Sequence, residues 1–259
     1  MGCTALEIHD GIARLSFSRP KVLNALNVEL LTEAVACLTE LRQRDDVGAV
    51  VITGEGRGFS AGADLSLAGQ QLGTDASVAQ QVGYYMDNYA HPLVEAIFTF
   101  PAPVVAAVNG PAVGGGAGIA LAADIVIAAR SAYFMIVQPA RLGLVPDLGA
   151  TWLLQRLVGR ARALGISLLG ERVSAEQAEQ WGMIWKCVDD ETLLPQAMAV
   201  ASRLTQIPRL TLQATRELTD TATRLELFEQ MKRERDRQLQ LCGSAFFGYA
   251  VAAFVGKHQ

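Results

Sequence analysis

The chain has 259 residues, 51% of them hydrophobic and 19% charged, which excludes a disordered or fibrous polypeptide and is long enough to bury a sizeable core without staples. The net charge of −4 gives no positive field to draw nucleic acid or anionic lipid, so neither a nucleic-acid partner nor a membrane partner is expected. Cysteines at 3, 37, 187 and 242 lie far apart and form no CxxC, which argues against a disulfide framework or a metal site and for reduced thiols in a cytoplasmic protein.

The amino terminus, MGCTALEIHD, lacks a basic region followed by an apolar one, so it reads as no secretory signal. Leu6 also stands where myristoylation wants Ser or Thr. Residues 12–18 read as a strand after the Asp10-Gly11 turn, and 28–41 as a helix with Asn27 as its N-cap. A short apolar strand at 49–53 runs into the glycine-rich loop 54–58, and 82–98 reads as helix. A buried strand at 104–108 leads to a second glycine loop, 114–118, and Asp124 starts another strand at 125–129. The most apolar stretch, 104–129, is interrupted by Asn109, Pro111, glycines and Asp124, so no membrane span is expected.

Alternation of strand, glycine loop and helix indicates an α/β class in which the loops at strand ends carry function. Past about residue 192 helix formers take over, with Pro208 separating two segments. The expected organisation is therefore a core over 1–190 holding the site and a helical region over 191–259. Leu225, Phe228 and Met231 keep helical spacing there, and the mixed charges of 232–237 read as a solvated face rather than a phosphate patch.

The loop 114–118 narrowly misses the dinucleotide pattern GxGxxG, because Ile119 sits where the last Gly belongs, and no Walker motif exists. Such glycines either allow tight packing or expose backbone N–H groups at a helix start, where negative charge is favoured. Asp147 reads as an N-cap for a helix over 148–157 or as an acid-base group. His91, before Pro92, reads as a structural or exposed turn residue with base chemistry as the alternative.

Arg57-Gly58-Phe59-Ser60-Ala61-Gly62-Ala63-Asp64-Leu65, followed by Asn109-Gly110-Pro111-Ala112-Val113-Gly114-Gly115-Gly116, resembles the paired signature of the crotonase superfamily, the enoyl-CoA hydratases and isomerases. Arg19-Pro20 and Asn24-Ala25-Leu26 are similar to that family's amino-terminal pattern. Residues 124–132, 159–163, 174–178, 181–185 and 189–192 look like the ring-epoxide isomerases within it.

That resemblance implies a ClpP-like spiral of ββα units with a C-terminal helical region that builds trimers, paired into hexamers. It implies an acyl-CoA substrate, CoA arriving with it and no further cofactor. The N–H groups of Ala63 and Gly115 would form an oxyanion hole for the thioester enolate. Ala61, Asp64, Leu65 and Gly114 would touch substrate or CoA, with helix capping as the other reading of Asp64. Tyr85 and Met86 would line the acyl pocket, with plain core packing as the other reading, and Phe254 and Lys257 would reach a neighbouring subunit's CoA. Matching the motifs places Gly118 and Pro139 where hydratases carry two glutamates, so hydration is not expected. Asp147 then matches the acid-base aspartate of family isomerases, which implies double-bond shift or ring-epoxide opening. The alternatives are a dehalogenase or hydrolase with Asp147 as nucleophile, an acyl-CoA-binding member without catalysis and, as the weakest, an enoyl-CoA hydratase.

Overall fold

The computed structural model describes residues 2–64 and 76–256; Leu65 and Lys257 lie outside them. The chain divides into two compact units, residues 1–204 and 205–259. The first unit opens with a hairpin, β1 (Thr4–His9) against β2 (Ile12–Phe17), turned by Asp10 and Gly11, both with positive φ. Helix α1 (Val28–Arg42) follows, capped as expected by Asn27, whose side chain accepts from the Leu30 N–H at 2.9 Å. Next come β3 (Ala49–Gly54), α2 (Val78–Tyr85), α3 (His91–Phe98) and β4 (Val104–Val108).

A repeat then becomes visible: β4, a short β5 (Ala112–Val113) and α4 (Gly115–Leu121), followed by β6 (Ile125–Ala129), β7 (Tyr133–Met135) and α5 (Ala150–Leu169). Each turn gives its first strand to a large sheet and its second to a small one, which is the expected spiral of ββα units. The unit ends with β8 (Val173–Ser174), α6 (Ala175–Gln180), β9 (Lys186–Val188) and α7 (Leu193–Leu204).

The large sheet runs β1-β2-β3-β4-β6-β9, parallel except for the first pair, with Leu15 beside Ile52, Ile52 beside Ala106 and Ala106 beside Val126. Every residue of β4 is buried, as a parallel strand covered on both faces requires. Helix α7 packs on β3, β4 and β6, so the first unit continues to Leu204 instead of stopping near residue 190.

Between α2 and α3 the helix is interrupted by a π turn, Met86–Ala90, where a continuous helix over 82–98 is the sequence expectation. Pro92 has no N–H to give to the carbonyl four residues back, and its ring crowds that carbonyl. A widened turn just before it absorbs the mismatch. A second π turn, Gln138–Leu142, contains Pro139. Both turns reach the cavity described below.

The second unit contains α8 (Arg209–Ala222), α9 (Leu227–Cys242) and α10 (Ala245–Gly256). Helices α8 and α9 are tied by Gln230, which donates to the Leu218 carbonyl at 2.8 Å, and by the Arg237–Glu217 pair. The charges of α9 form exposed local pairs such as Arg235–Asp236, the solvated face read from the sequence. No single helix among the described residues is long and apolar enough to cross a membrane.

Candidate active site

Asn24, wholly buried, fixes the entrance loops: its Nδ2 donates to the carbonyls of Glu55 and Gly58 at 3.0 and 2.7 Å, and its Oδ1 accepts from the Arg19 N–H at 2.8 Å. Ser60 donates its hydroxyl to the Asn24 carbonyl at 2.9 Å. The segment 60–64 then lies between two others. On one side Val113 N–H donates to the Ser60 carbonyl at 2.9 Å; on the other, Leu26 N–H donates to Gly62 at 2.8 Å and Asp64 N–H to Leu26 at 3.0 Å. In such a parallel pairing the middle residue turns its own N–H to the opposite side. Ala63 therefore presents its N–H away from Leu26.

Gly115 begins α4, so its N–H has no acceptor one turn back within the helix. The two loops are close: a Cβ on Gly62 would lie 3.5 Å from the Gly115 nitrogen and 2.7 Å from the Val113 carbonyl oxygen. Gly62 has φ +86°, a conformation that strains any other residue, and its lack of a side chain admits this approach.

A cavity of about 210 Å³ opens at this junction. Ala61, Ala63, Asp64, Gly114 and Gly115 form one group of its lining residues, and Tyr85, Met86, Gln138 and Asp147 a second. The structure thus brings together all the described candidates except Phe254, which sits on α10 in the second unit and is 68% exposed. Tyr85 uses its hydroxyl on the Leu26 carbonyl at 2.8 Å. Burial, reinforced by Asp147 and Asp64, raises that phenol well above its ordinary range, so it stays neutral.

Two carboxylates line the cavity among the described residues, and they differ in their partners. Asp64 pairs with the Arg19 guanidinium at 2.9 Å, and the same nitrogen of Arg19 donates to the Ala25 carbonyl. Asp147 instead accepts from a neutral amide, Gln138 Nε2, at 2.8 Å. Burial pushes the Asp147 carboxyl upward from its usual value, against the lowering effects of Gln138, its own backbone N–H and His91.

Asp147 does not cap a helix with its side chain. Leu148 and Gly149 both have positive φ, α5 starts only at Ala150, and Gly149 occupies the N-cap position. His91 is exposed, lies beside Asp87 at 3.4 Å and does not line the cavity. Gly118 and Pro139 do not line it either, and a Cβ on Gly118 would meet the Leu148 carbonyl oxygen at 2.8 Å. Leu148 fills the space that a longer side chain at 118 would need.

Gln138 escapes the sequence reading although it touches the key carboxylate. Its signal is one polar residue directly after the apolar run Phe134–Val137, and in the structure it is buried. Outside the cavity, the Cys3 thiol and the carboxylates of Glu29 and Glu33 lie within 4.8 Å of one another, but Glu33 already accepts from the Thr4 N–H at 2.9 Å.

The sequence profile of enoyl-CoA hydratase/isomerase matches residues 7–259. The chain is 41% identical over 252 residues to the 1,2-epoxyphenylacetyl-CoA isomerase of Escherichia coli K12, covering 97% of this chain and 95% of that one. It resembles the crystal structure of an enoyl-CoA hydratase from Polaromonas sp. JS666 with a TM-score of 0.87 at 31% identity, covering 99% and 98% of the two chains. A monofunctional enoyl-CoA isomerase from M. smegmatis matches with a TM-score of 0.73 at 30% identity, covering 89% of this chain and 99% of that one. With the spiral of ββα units, these matches make the chain a member of the enoyl-CoA hydratase/isomerase family.

Proposed function

We propose that the protein is a cytoplasmic acyl-CoA isomerase that moves a proton within a CoA thioester, shifting a double bond or opening a ring epoxide. The observation that carries this reading is the asymmetry of the two cavity carboxylates: Asp64 is held by a cation, while Asp147 is desolvated and meets a neutral amide. A carboxylate in that setting is a stronger base than a free one.

The thioester carbonyl sits against the Ala63 and Gly115 N–H groups, and ionised Asp147 takes a proton from a neighbouring carbon. Charge builds on the carbonyl oxygen, where each such donor contributes about 3 kcal/mol to the transition state. Asp147 then returns the proton at another carbon. Proton and electrons stay within the substrate, so the reaction balances without a metal or redox partner. Water addition needs a second group to activate water, and Gly118 and Pro139 supply none.

The relatives' names include both an isomerase and a hydratase, so the product decides. A panel of 3-enoyl-CoA, 2-enoyl-CoA and ring-epoxide phenylacetyl-CoA, followed by mass and absorbance, tests it. Isomers of unchanged mass are expected, with hydration of crotonyl-CoA slower by orders of magnitude; efficient gain of water would overturn the reading.

The assembled form belongs to the same proposal. Leu227, Phe228, Met231, Phe246, Phe247 and Phe254 are exposed in the second unit, more apolar surface than a monomer keeps in water. We expect a trimer or a pair of trimers, and sedimentation at micromolar concentration showing only monomer would refute it.

A further inference from the structure

We infer that Gln138 is a positioning residue for the proton transfer, its side-chain amide holding one oxygen of Asp147 and leaving the other for the bound acyl group; this rests on the reading of Asp147 above. The bond is short, 2.8 Å from Nε2 to Oδ1, and Gln138 is only 5% exposed. Its backbone is fixed by the π turn it begins, since its carbonyl accepts from the N–H groups of both Gly143 and Leu144. Pro139 stiffens the chain immediately after it.

The other end of the same amide is informative. Gln138 Oε1 is buried and has no hydrogen-bond partner. An unsatisfied buried acceptor costs folding free energy that methionine or leucine would avoid. Packing alone therefore does not explain glutamine here, whereas a donor aimed at Asp147 does.

A neutral donor also suits the chemistry. An arginine, as on Asp64, would hold the carboxylate ionised and weaken it as a base, while an apolar neighbour would leave it protonated and unoriented. The amide stabilises the anion partway and cannot itself titrate. The other groups acting on Asp147 are its own backbone N–H and His91 from α3, both of which lower its pKa; the nearby Tyr85 phenol from α2 is neutral, its own pKa raised by burial and by Asp147 and Asp64.

The test compares Gln138→Met, Gln138→Glu and Asp147→Asn with the native enzyme. It measures the pH dependence of kcat/KM for a substrate the native enzyme isomerises, acyl-CoA binding and melting temperature. Loss of the donor in Gln138→Met should move the acid limb up by about one pH unit or more, as expected for a hydrogen bond to a charged group. Gln138→Glu, nearly the same shape, should replace the single limb by two steps, one below and one above the native midpoint, because adjacent carboxyl groups share a proton.

Acyl-CoA binding should hold in both. An acid limb unmoved in the folded variants would overturn the inference, and Gln138→Glu decides alone if Gln138→Met does not fold. Asp147→Asn separates the two layers: if it keeps native turnover, the underlying reading fails, whereas an inactive Asp147→Asn beside unmoved Gln138 limbs removes only the role of Gln138.

Discussion

Residues 61–64 and 114–115 reach the cavity from two closely approaching backbone segments, whereas Tyr85, Met86, Gln138 and Asp147 reach it from two π turns and the segments beside them. The first group is set by buried backbone pairing through Asn24, Ser60 and Leu26, so its donors are fixed before any ligand arrives. The second depends on what surrounds one carboxylate. In the proposed mechanism, stabilising charge needs rigid geometry and moving a proton needs a tuned environment, and the two groups of residues would divide these tasks.

Substituting Asp147 attacks the second group alone and should have the largest effect. Asp147→Asn keeps the shape and removes the basicity, so turnover should fall by about 10²- to 10⁴-fold. Stability should not fall. A carboxyl whose pKa is raised by folding contributes stability below its unfolded pKa and loses it as pH rises through the folded one. At neutral pH the buried charge is a cost that asparagine removes, so melting temperature should hold or rise.

Gly62→Ala attacks the first group. The new Cβ would sit 2.7 Å from the Val113 carbonyl oxygen at a φ of +86°, so the loop must shift. Backbone strain of this kind costs about 1–3 kcal/mol, and a misplaced oxyanion donor costs about 10²- to 10³-fold in rate. Turnover should drop with the pH profile unmoved, unlike the Gln138 variants. A shifted acid limb in Gly62→Ala would mean that the two groups are coupled.

The two groups also differ in how far the sequence reveals them. Closely approaching backbone demands glycine at fixed places, so Gly62 and Gly115 stand out as letters, as does the Asn27 cap. Strand β1 is missed because it is a partly exposed edge, and the break at 86–90 because helical spacing runs through it. From the residues Asp147 reads as a cap or an acid-base group, and the resemblance alone favours the second. Only the left-handed Leu148 and Gly149 show that the helix starts too late for it to be the cap, and only the turn at 138–142 brings Gln138 to it. The boundary near 190 is displaced because α7 has the composition of the helical region yet packs on the sheet.

Smaller effects sharpen the contrast. Arg19→Met leaves Asp64 without its guanidinium and should destabilise by about 2 kcal/mol, the worth of a charged hydrogen bond. Thermal melting checks it, and the acid limb should stay in place. Glu217→Ala removes the exposed Arg237 pair of the second unit and should change stability by less than about 1 kcal/mol with no effect on proton transfer. A large loss of turnover there would show that the second unit influences the cavity chemistry.

The most direct measurement is the pH profile of kcat/KM for the native enzyme beside Asp147→Asn on the same isomerised substrate. If Asp147 is the desolvated base, native activity falls on the acid side with a midpoint clearly above 3.8, the ordinary value for its carboxyl. The residual activity of Asp147→Asn should show no such limb. The same acid limb in both enzymes, or none above that value in the native one, would contradict the assignment of Asp147 as the group that carries the proton.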